Sequence, residues 1–168
     1  VIPRRSPLRR SLVSFGYGVF YRIPLRWRTR LVKTVSHKYV LGSVVLMFDA
    51  DDPGRILLLR QPPGRGWTLP AGLLQRGETP IEGARREAAE ETGVLLDSLE
   101  PAVPNAVVHT RGRWVDMVFT AHVPAATTEL SVDGAEVWEA AWHHVDELPK
   151  LTPATARLLA NYGIGPGA

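Results

Sequence analysis

The sequence predicts one α+β domain that carries a basic, helical N-terminal extension. Three observations predict it: one well-capped amphipathic helix in mid-chain, several short apolar runs bounded by Gly and Pro, and a charge division that sets the first 48 residues apart. Residues 8 to 33 read as helical and broken at Pro24, because proline lacks an N–H and clashes with the preceding turn. Tyr39 to Phe48 is a β-rich run, and Asp51-Asp52-Pro53-Gly54 is a turn. Ile56 to Leu59 is an apolar run of strand length stopped by Pro62-Pro63-Gly64, and Trp67 to Leu69 is a short extended piece entering Pro70. The strong helix follows: Thr79 is its N-cap, Pro80 takes the first helical position where a missing N–H costs nothing, and Glu82 completes a capping box. Gly93 supplies a left-handed exit. Ala106 to Thr110 and Trp114 to Val123 read as a hairpin around Arg111-Gly112-Arg113, Val137 to Trp142 as a further strand, and Pro153 to Tyr162 as a closing helix. The expected boundaries are an extension over 1–38, a domain over 39–162 and a flexible tail over 163–168.

With 168 residues and 45% apolar content the chain is long enough for one core without disulfide or metal staples. It has no cysteine, which removes thiol chemistry and Cys-ligated zinc or iron–sulfur sites. No run approaches the roughly 18 apolar residues of a spanning helix. The net charge of +3 is divided: residues 1–48 hold eight Arg and two Lys without an acid, so the remainder carries −7. A solvated leader, or one docked on the acidic half, is the plainest account of this. Leu12, Val13, Phe15, Tyr17, Phe20 and Tyr21 interleave with the arginines, as contact with an anionic membrane would need, and nucleic-acid contact through residues 1–38 is a further alternative. Exchange of the leader between two subunits would make a homodimer. A secretory signal is not expected, since Leu12 to Tyr21 runs into Arg22 without a small-residue cleavage site, although an organellar transit peptide would share the composition. A cytoplasmic, bacterial setting is expected, the latter from 17 Arg against three Lys.

In the mid-chain helix, a 100° step per residue puts Ile81, Ala84 and Ala88 within an arc of about 60°, the inward face. Glu87, Glu90 and Glu91 fall within roughly 100° beside it. Glu87 and Glu91 form a repulsive i,i+4 pair, and Arg86 is the only cation placed to relieve Glu90. An external hard cation, Mg²⁺ or Mn²⁺, would neutralise the surplus, whereas an acidic solvated face would account for the glutamates taken alone.

The whole segment from Gly72 to Val94 decides between these. Gly72, Glu78, Arg86, Glu87, Glu90, Glu91 and Gly93 fall in register with G-x5-E-x7-R-E-U-x-E-E-x-G-U, where U is aliphatic, and the odds of this by chance are on the order of 10⁻⁶. The segment resembles the Nudix box. Ala88 departs from the pattern, standing where a larger aliphatic is usual, and this removes no ligand. Arg55 to Trp67 and Glu136 to Pro149 look like the family's flanking strands and turns, so the resemblance spans roughly residues 39 to 150.

The resemblance implies an α/β/α sandwich with a central mixed sheet, and divalent-metal-dependent hydrolysis of a nucleoside diphosphate linked to another moiety. It implies Glu87, Glu90 and Glu91 as metal ligands, Glu87 and Glu91 foremost. Arg86 would orient a carboxylate, Glu78 would support that network, and Gly72 and Gly77 would let the loop turn closely around the site. The general base would come from the box or from a later loop, where Glu136 is the candidate and Glu139 the second choice. Arg60, His109, Arg111 and Arg113 are candidates for gripping phosphate or ribose, and Trp67 or Trp114 for stacking on a base, although arginines near a turn are commonly solvated and a tryptophan beside an apolar strand is commonly core. The partner would be a small phosphoanhydride molecule; ADP-ribose, a nucleoside triphosphate and a nucleotide sugar all stay open. A Nudix-derived module that binds a nucleotide without cleaving it is the alternative, while the diphosphate isomerase branch needs a cysteine that this chain lacks.

Overall fold

A computed structural model of the chain describes residues 17–36, 38–109 and 112–165. The chain divides into two compact units, Val1–Lys38 and Tyr39–Ala168. In the first, residues 17–22 are helical and α1 (Leu25–Val35) follows. The expected break falls at Pro24, which starts α1: its carbonyl accepts the N–H groups of Trp27 and Arg28, and its fixed φ suits the residue before the first turn, while residues 8–16 of the expected helical stretch lie outside the described residues.

The second unit is built on a seven-stranded mixed sheet. Its strands are β1 (Val40–Asp49), β2 (Arg55–Arg60), β3 (Trp67–Thr68), β4 (Ala71–Leu73), β5 (Glu100–His109), β6 (Trp114–Val123) and β7 (Glu139–His144), with helices α2 (Pro80–Thr92) and α3 (Pro153–Ala160). β1 lies parallel to β6 along its whole length, and the other pairings are antiparallel. β1 meets β2 only at Phe48↔Ile56 and pairs with β4 at Gly42–Val44, so β1 and β2 diverge. β2 pairs instead with β3 and β7. This divergence places the β2–β3 segment and β4 where both can line a cavity.

Alternation along β1 and β2 feeds two cores. Val45, Met47 and Leu57 pack with Phe119, Ala121 and, from α2, Ala84 and Ala88. Val44, Leu46, Ile56 and Leu58 pack on the other face with Val118 and, from α3, Leu158 and Leu159. A strand covered on both faces reads as a continuous apolar run, which is why Leu57, Leu58 and Leu59 are all buried. The result is the expected α/β/α sandwich. Ala88 is fully buried in the first core, so its small side chain sets how closely α2 approaches the sheet.

α2 begins and ends as its sequence dictates. Thr79 Oγ1 accepts the Glu82 N–H, Glu82 Oε2 accepts the Thr79 N–H at 2.8 Å, and Gly93 leaves at φ 74° with its N–H on the Ala89 carbonyl. Such a cap is worth about 1 kcal/mol, and it fixes where the acidic edge of the helix starts.

Two strands begin elsewhere than expected. β5 begins at Glu100, not Ala106, because Pro101 and Pro104 lie on an edge strand whose register shifts between Pro101 and Ala106, where a missing N–H is tolerated. The last strand runs over Glu139–His144, two residues later than its apolar pattern suggests, since Asp133 ties up the N–H groups of Ala135, Glu136 and Val137 in a turn. Of the expected tail, residues 163–165 are described, with Ile164 packed against the second core, and 166–168 lie outside the described residues.

Candidate active site

α2 lies across β4 and β1, and its edge carries the acidic residues. Arg86 organises them. Its Nε and Nη2 donate to the two oxygens of Glu78 at 2.9 and 3.0 Å, its Nη1 to Glu87 at 2.7 Å and Glu90 at 3.0 Å, and Nη2 also to the Leu73 carbonyl at 3.0 Å. These five bonds match the five donors of a guanidinium, so no N–H is left over for a ligand. The bonds, that from Glu78 first, raise the Arg86 pKa, and the Arg86 bond holds the Glu78 carboxyl below the usual carboxylate range. Glu78 also accepts the Gln75 N–H at 2.8 Å, which ties the loop after β4 to the start of the helix.

Glu87 sits directly over Gly72. A Cβ at that position would overlap its carboxylate, so glycine there lets the carboxylate keep this place, in an extended strand that any residue adopts. Glu90 is turned outward, its side chain 59% exposed, with Arg86 as its partner. Glu91, one residue on, is only 9% exposed. Gln61 Nε2 donates to its Oε1 at 2.6 Å and the Ala71 N–H to its Oε2 at 2.8 Å. Both donors are neutral. Burial pushes the Glu91 carboxyl up from 4.5 to about 7, opposed by the Ala71 N–H and reinforced by the charges of Glu87 and Glu136.

The loop before β7 thus brings Glu136 within electrostatic reach of Glu91. Glu136 is exposed, and the Asp133 carboxylate, which accepts three successive N–H groups and is held low by them, Val137 first, fixes its backbone. Glu139 is placed otherwise. It pairs with Arg60 across β2 and β7 at 3.8 Å, both half-exposed, so these two candidates satisfy each other.

A cavity of about 820 Å³ opens on the face of the sheet that α3 covers, and among the described residues none that lines it belongs to α2. Gln61 and Ala71, the two groups that hold Glu91, are part of its wall, with Thr68 and Leu69 between them. The far side carries His109, Trp114 and Asp116, and α3 contributes Thr155, Arg157 and Leu158. Asp116 joins its neighbours: one oxygen meets His109 Nε2 at 2.9 Å and the other accepts the Trp114 indole N–H. Of the expected substrate-gripping residues, His109 and Trp114 are therefore at the cavity. Arg60 is exposed at the end of β2, between Trp67 of β3 and Glu139 of β7, and Arg113 is exposed at the hairpin turn with φ 51°, its carbonyl accepting the Val40 N–H. Arg111 lies outside the described residues. Trp67 packs edge-on against His143, at 4.5 Å between ring centroids, in the second core.

Gln61, Asp116 and Arg157 were not singled out by the sequence. Gln61 is 30 residues from Glu91, and no periodicity links them. An apolar strand interrupted by one acid, Asp116 in β6, was the only available signal of the second.

The NUDIX domain model matches residues 38–162. The chain belongs to the Nudix family. It is 34% identical over 148 residues to the putative mutator protein MutT4 of Mycobacterium tuberculosis, covering 83% of this chain and 58% of that protein. It is 34% identical over 117 residues to the human 8-oxo-dGDP phosphatase NUDT18, covering 67% of this chain and 35% of that protein. Among solved structures, the MutT NUDIX hydrolase of Burkholderia pseudomallei superposes with a TM-score of 0.60 at 28% identity, covering 74% of this chain and 98% of that one. This chain thus spans about a third of the length of the human relative and less than two thirds of the mycobacterial one.

The Nudix fold implies a divalent metal, and the donor set fits one. Glu78, Glu87 and Glu90 share a single cation, Arg86, Glu91 is held by neutral groups alone, and the free donors of all four are hard oxygens. Among the described residues no three metal-binding side chains already converge on one point.

Proposed function

We propose that this chain is a divalent-metal-dependent pyrophosphohydrolase that cleaves a nucleoside diphosphate linked to another moiety, by attack of water on phosphorus. One observation carries the reading: a helix edge with three carboxylates and one cation meets, through the Gln61 and Ala71 that grip Glu91, a cavity large enough for a small-molecule ligand. A diphosphate repels hydroxide, and a bound divalent ion, Mg²⁺ or Mn²⁺, supplies charge neutralisation and acidifies a water towards neutral pH.

The chain's own residues then have distinct tasks. Glu87 and Glu91 offer metal-binding oxygens from a rigid helix, and Glu90, exposed and paired with Arg86, is the third. Arg86 and Glu78 hold Glu87 in place through the bidentate fork, while Gln61 and the Ala71 N–H hold Glu91. Glu136 takes the proton of the attacking water; Glu139, engaged by Arg60, does not. His109 and Trp114, fixed by Asp116, face the nucleoside, and Arg157 meets its phosphate or ribose. The similarity to the 8-oxo-dGDP phosphatase supports a purine nucleotide substrate.

Hydrolysis of a panel containing 8-oxo-dGDP, ADP-ribose, nucleoside triphosphates and nucleotide sugars, with Mg²⁺ or Mn²⁺, tests this. Release of a nucleoside monophosphate that disappears in Glu91→Gln is the expected result. Nucleotides that raise the melting temperature while no phosphate or monophosphate appears would overturn it and leave a binding module.

A further inference from the structure

The structure leaves one feature outside the catalytic reading: the surface of the first unit. Seven of the fifteen large apolar side chains exposed among the described residues lie between Tyr17 and Val35, a density that a purely solvated leader does not need. On α1, Leu25, Val32 and Val35 fall within an arc of about 80° that also holds Arg28, whose guanidinium is drawn onto Phe20 and Tyr21, and Arg26, Arg30 and Lys33 fall within a second arc of about 60° beyond Thr29. Leu25 is 68% and Val35 75% exposed. Thr29, between the two faces, returns its hydroxyl to the Leu25 carbonyl at 2.8 Å, and Thr34 returns its own to Arg30 at 2.9 Å, so neither hydroxyl calls for water. Arg30 covers the Trp27 ring at 5.3 Å, and Arg28 lies over Phe20 and Tyr21 at 5.5 and 5.0 Å. These are cations lying on amphipathic rings, in a segment without an acidic residue before Asp49.

We infer that α1 is an interfacial helix that seats this chain on an anionic lipid surface, with Leu25, Val32 and Val35 entering the acyl boundary and Arg26, Arg30 and Lys33 meeting lipid phosphates. Both faces are used in this arrangement. A nucleic acid would engage the cations and leave the apolar stripe in water, which is why lipid is favoured. No helix among the described residues is long and apolar enough to cross a membrane, so α1 lies along the surface. Trp27 and Tyr21, amphipathic rings beside the cations, suit the headgroup level.

The test sediments residues 1–168 with vesicles of phosphatidylcholine alone and of phosphatidylcholine containing about one third phosphatidylglycerol. Pelleting should be at least about tenfold stronger with the anionic vesicles, with a blue shift of emission that is lost in Trp27→Phe. Val32→Glu with Val35→Glu, and separately Arg26→Glu with Arg30→Glu, should each reduce pelleting about tenfold, with an unchanged melting temperature in buffer. Equal pelleting with both vesicle types overturns the inference. So does full binding by the Val32/Val35 variant together with displacement by duplex DNA, which would mark a general polyanion site. A lowered melting temperature of that variant without lipid also overturns it, because the face would then be covered by protein.

Discussion

Replacing Glu91 by Gln separates the cost of burying a charge from the use made of it. In the folded chain the Glu91 carboxyl titrates at about 7, against an ordinary value of 4.5, burial being the main cause. The folded state therefore binds more protons than the unfolded state between these values, and stability falls as pH rises through them. At about 1.4 kcal/mol per pH unit the gap amounts to about 3 kcal/mol, fully present below the unfolded value and lost above about pH 7. Glutamine does not titrate, and its bonds can be kept. The Ala71 N–H still finds the amide oxygen, and Gln61 can turn its own amide so that its NH₂ faces Thr68, whose hydroxyl already donates to the Leu59 carbonyl at 3.3 Å. Thermal unfolding of both proteins with chelator, between about pH 5 and about pH 8.5, should show the variant gaining roughly 6–10 °C on the parent across the interval. Groups common to both, Asp49 and Asp133 among them, cancel in the difference. Parallel profiles would refute the reasoning: Glu91 would then ionise freely, and the site would have no deficit of positive charge.

Three further outcomes are expected. Gly72→Ala should leave the melting temperature nearly unchanged, because the strand is extended there and the overlapping atoms belong to the movable end of Glu87, while turnover falls by about 10²-fold as that carboxylate is displaced; steady-state kinetics checks both. Arg86→Lys should cost about 1–3 kcal/mol in urea unfolding, since a single ammonium cannot span Glu78, Glu87 and Glu90 together, and kcat should drop more than KM rises. Removing residues 1–38 should leave hydrolysis within about twofold of the parent and abolish sedimentation with anionic vesicles; loss of hydrolysis would show that the family domain needs the leader.

Local rules made much of this chain legible. The cap residues Thr79, Pro80 and Glu82 and the exit at Gly93 set α2 to the residue, because each acts within one turn of the helix. The spacing of Glu78, Arg86, Glu87, Glu90 and Glu91 located the acidic edge for the same reason. Short or proline-bearing strands escaped: Ala71–Leu73 is too brief for any period to register, and Pro101 and Pro104 mimic a break in an edge strand that a register shift accommodates.

The sequence by itself determined which side chains share a helix edge, since 100° per residue is a property of the backbone alone. It also put Glu91 about 20° from the apolar stripe and Glu90 about 120° from it, but it could not determine which groups would meet Glu91 once it was buried. That was decided when β4 passed beneath α2 and offered the Ala71 N–H, and when the divergence of β1 and β2 brought Gln61 alongside. A buried carboxylate's pKa depends on every dipole and charge within a few ångströms, and those neighbours come from segments that only the packed sheet puts together.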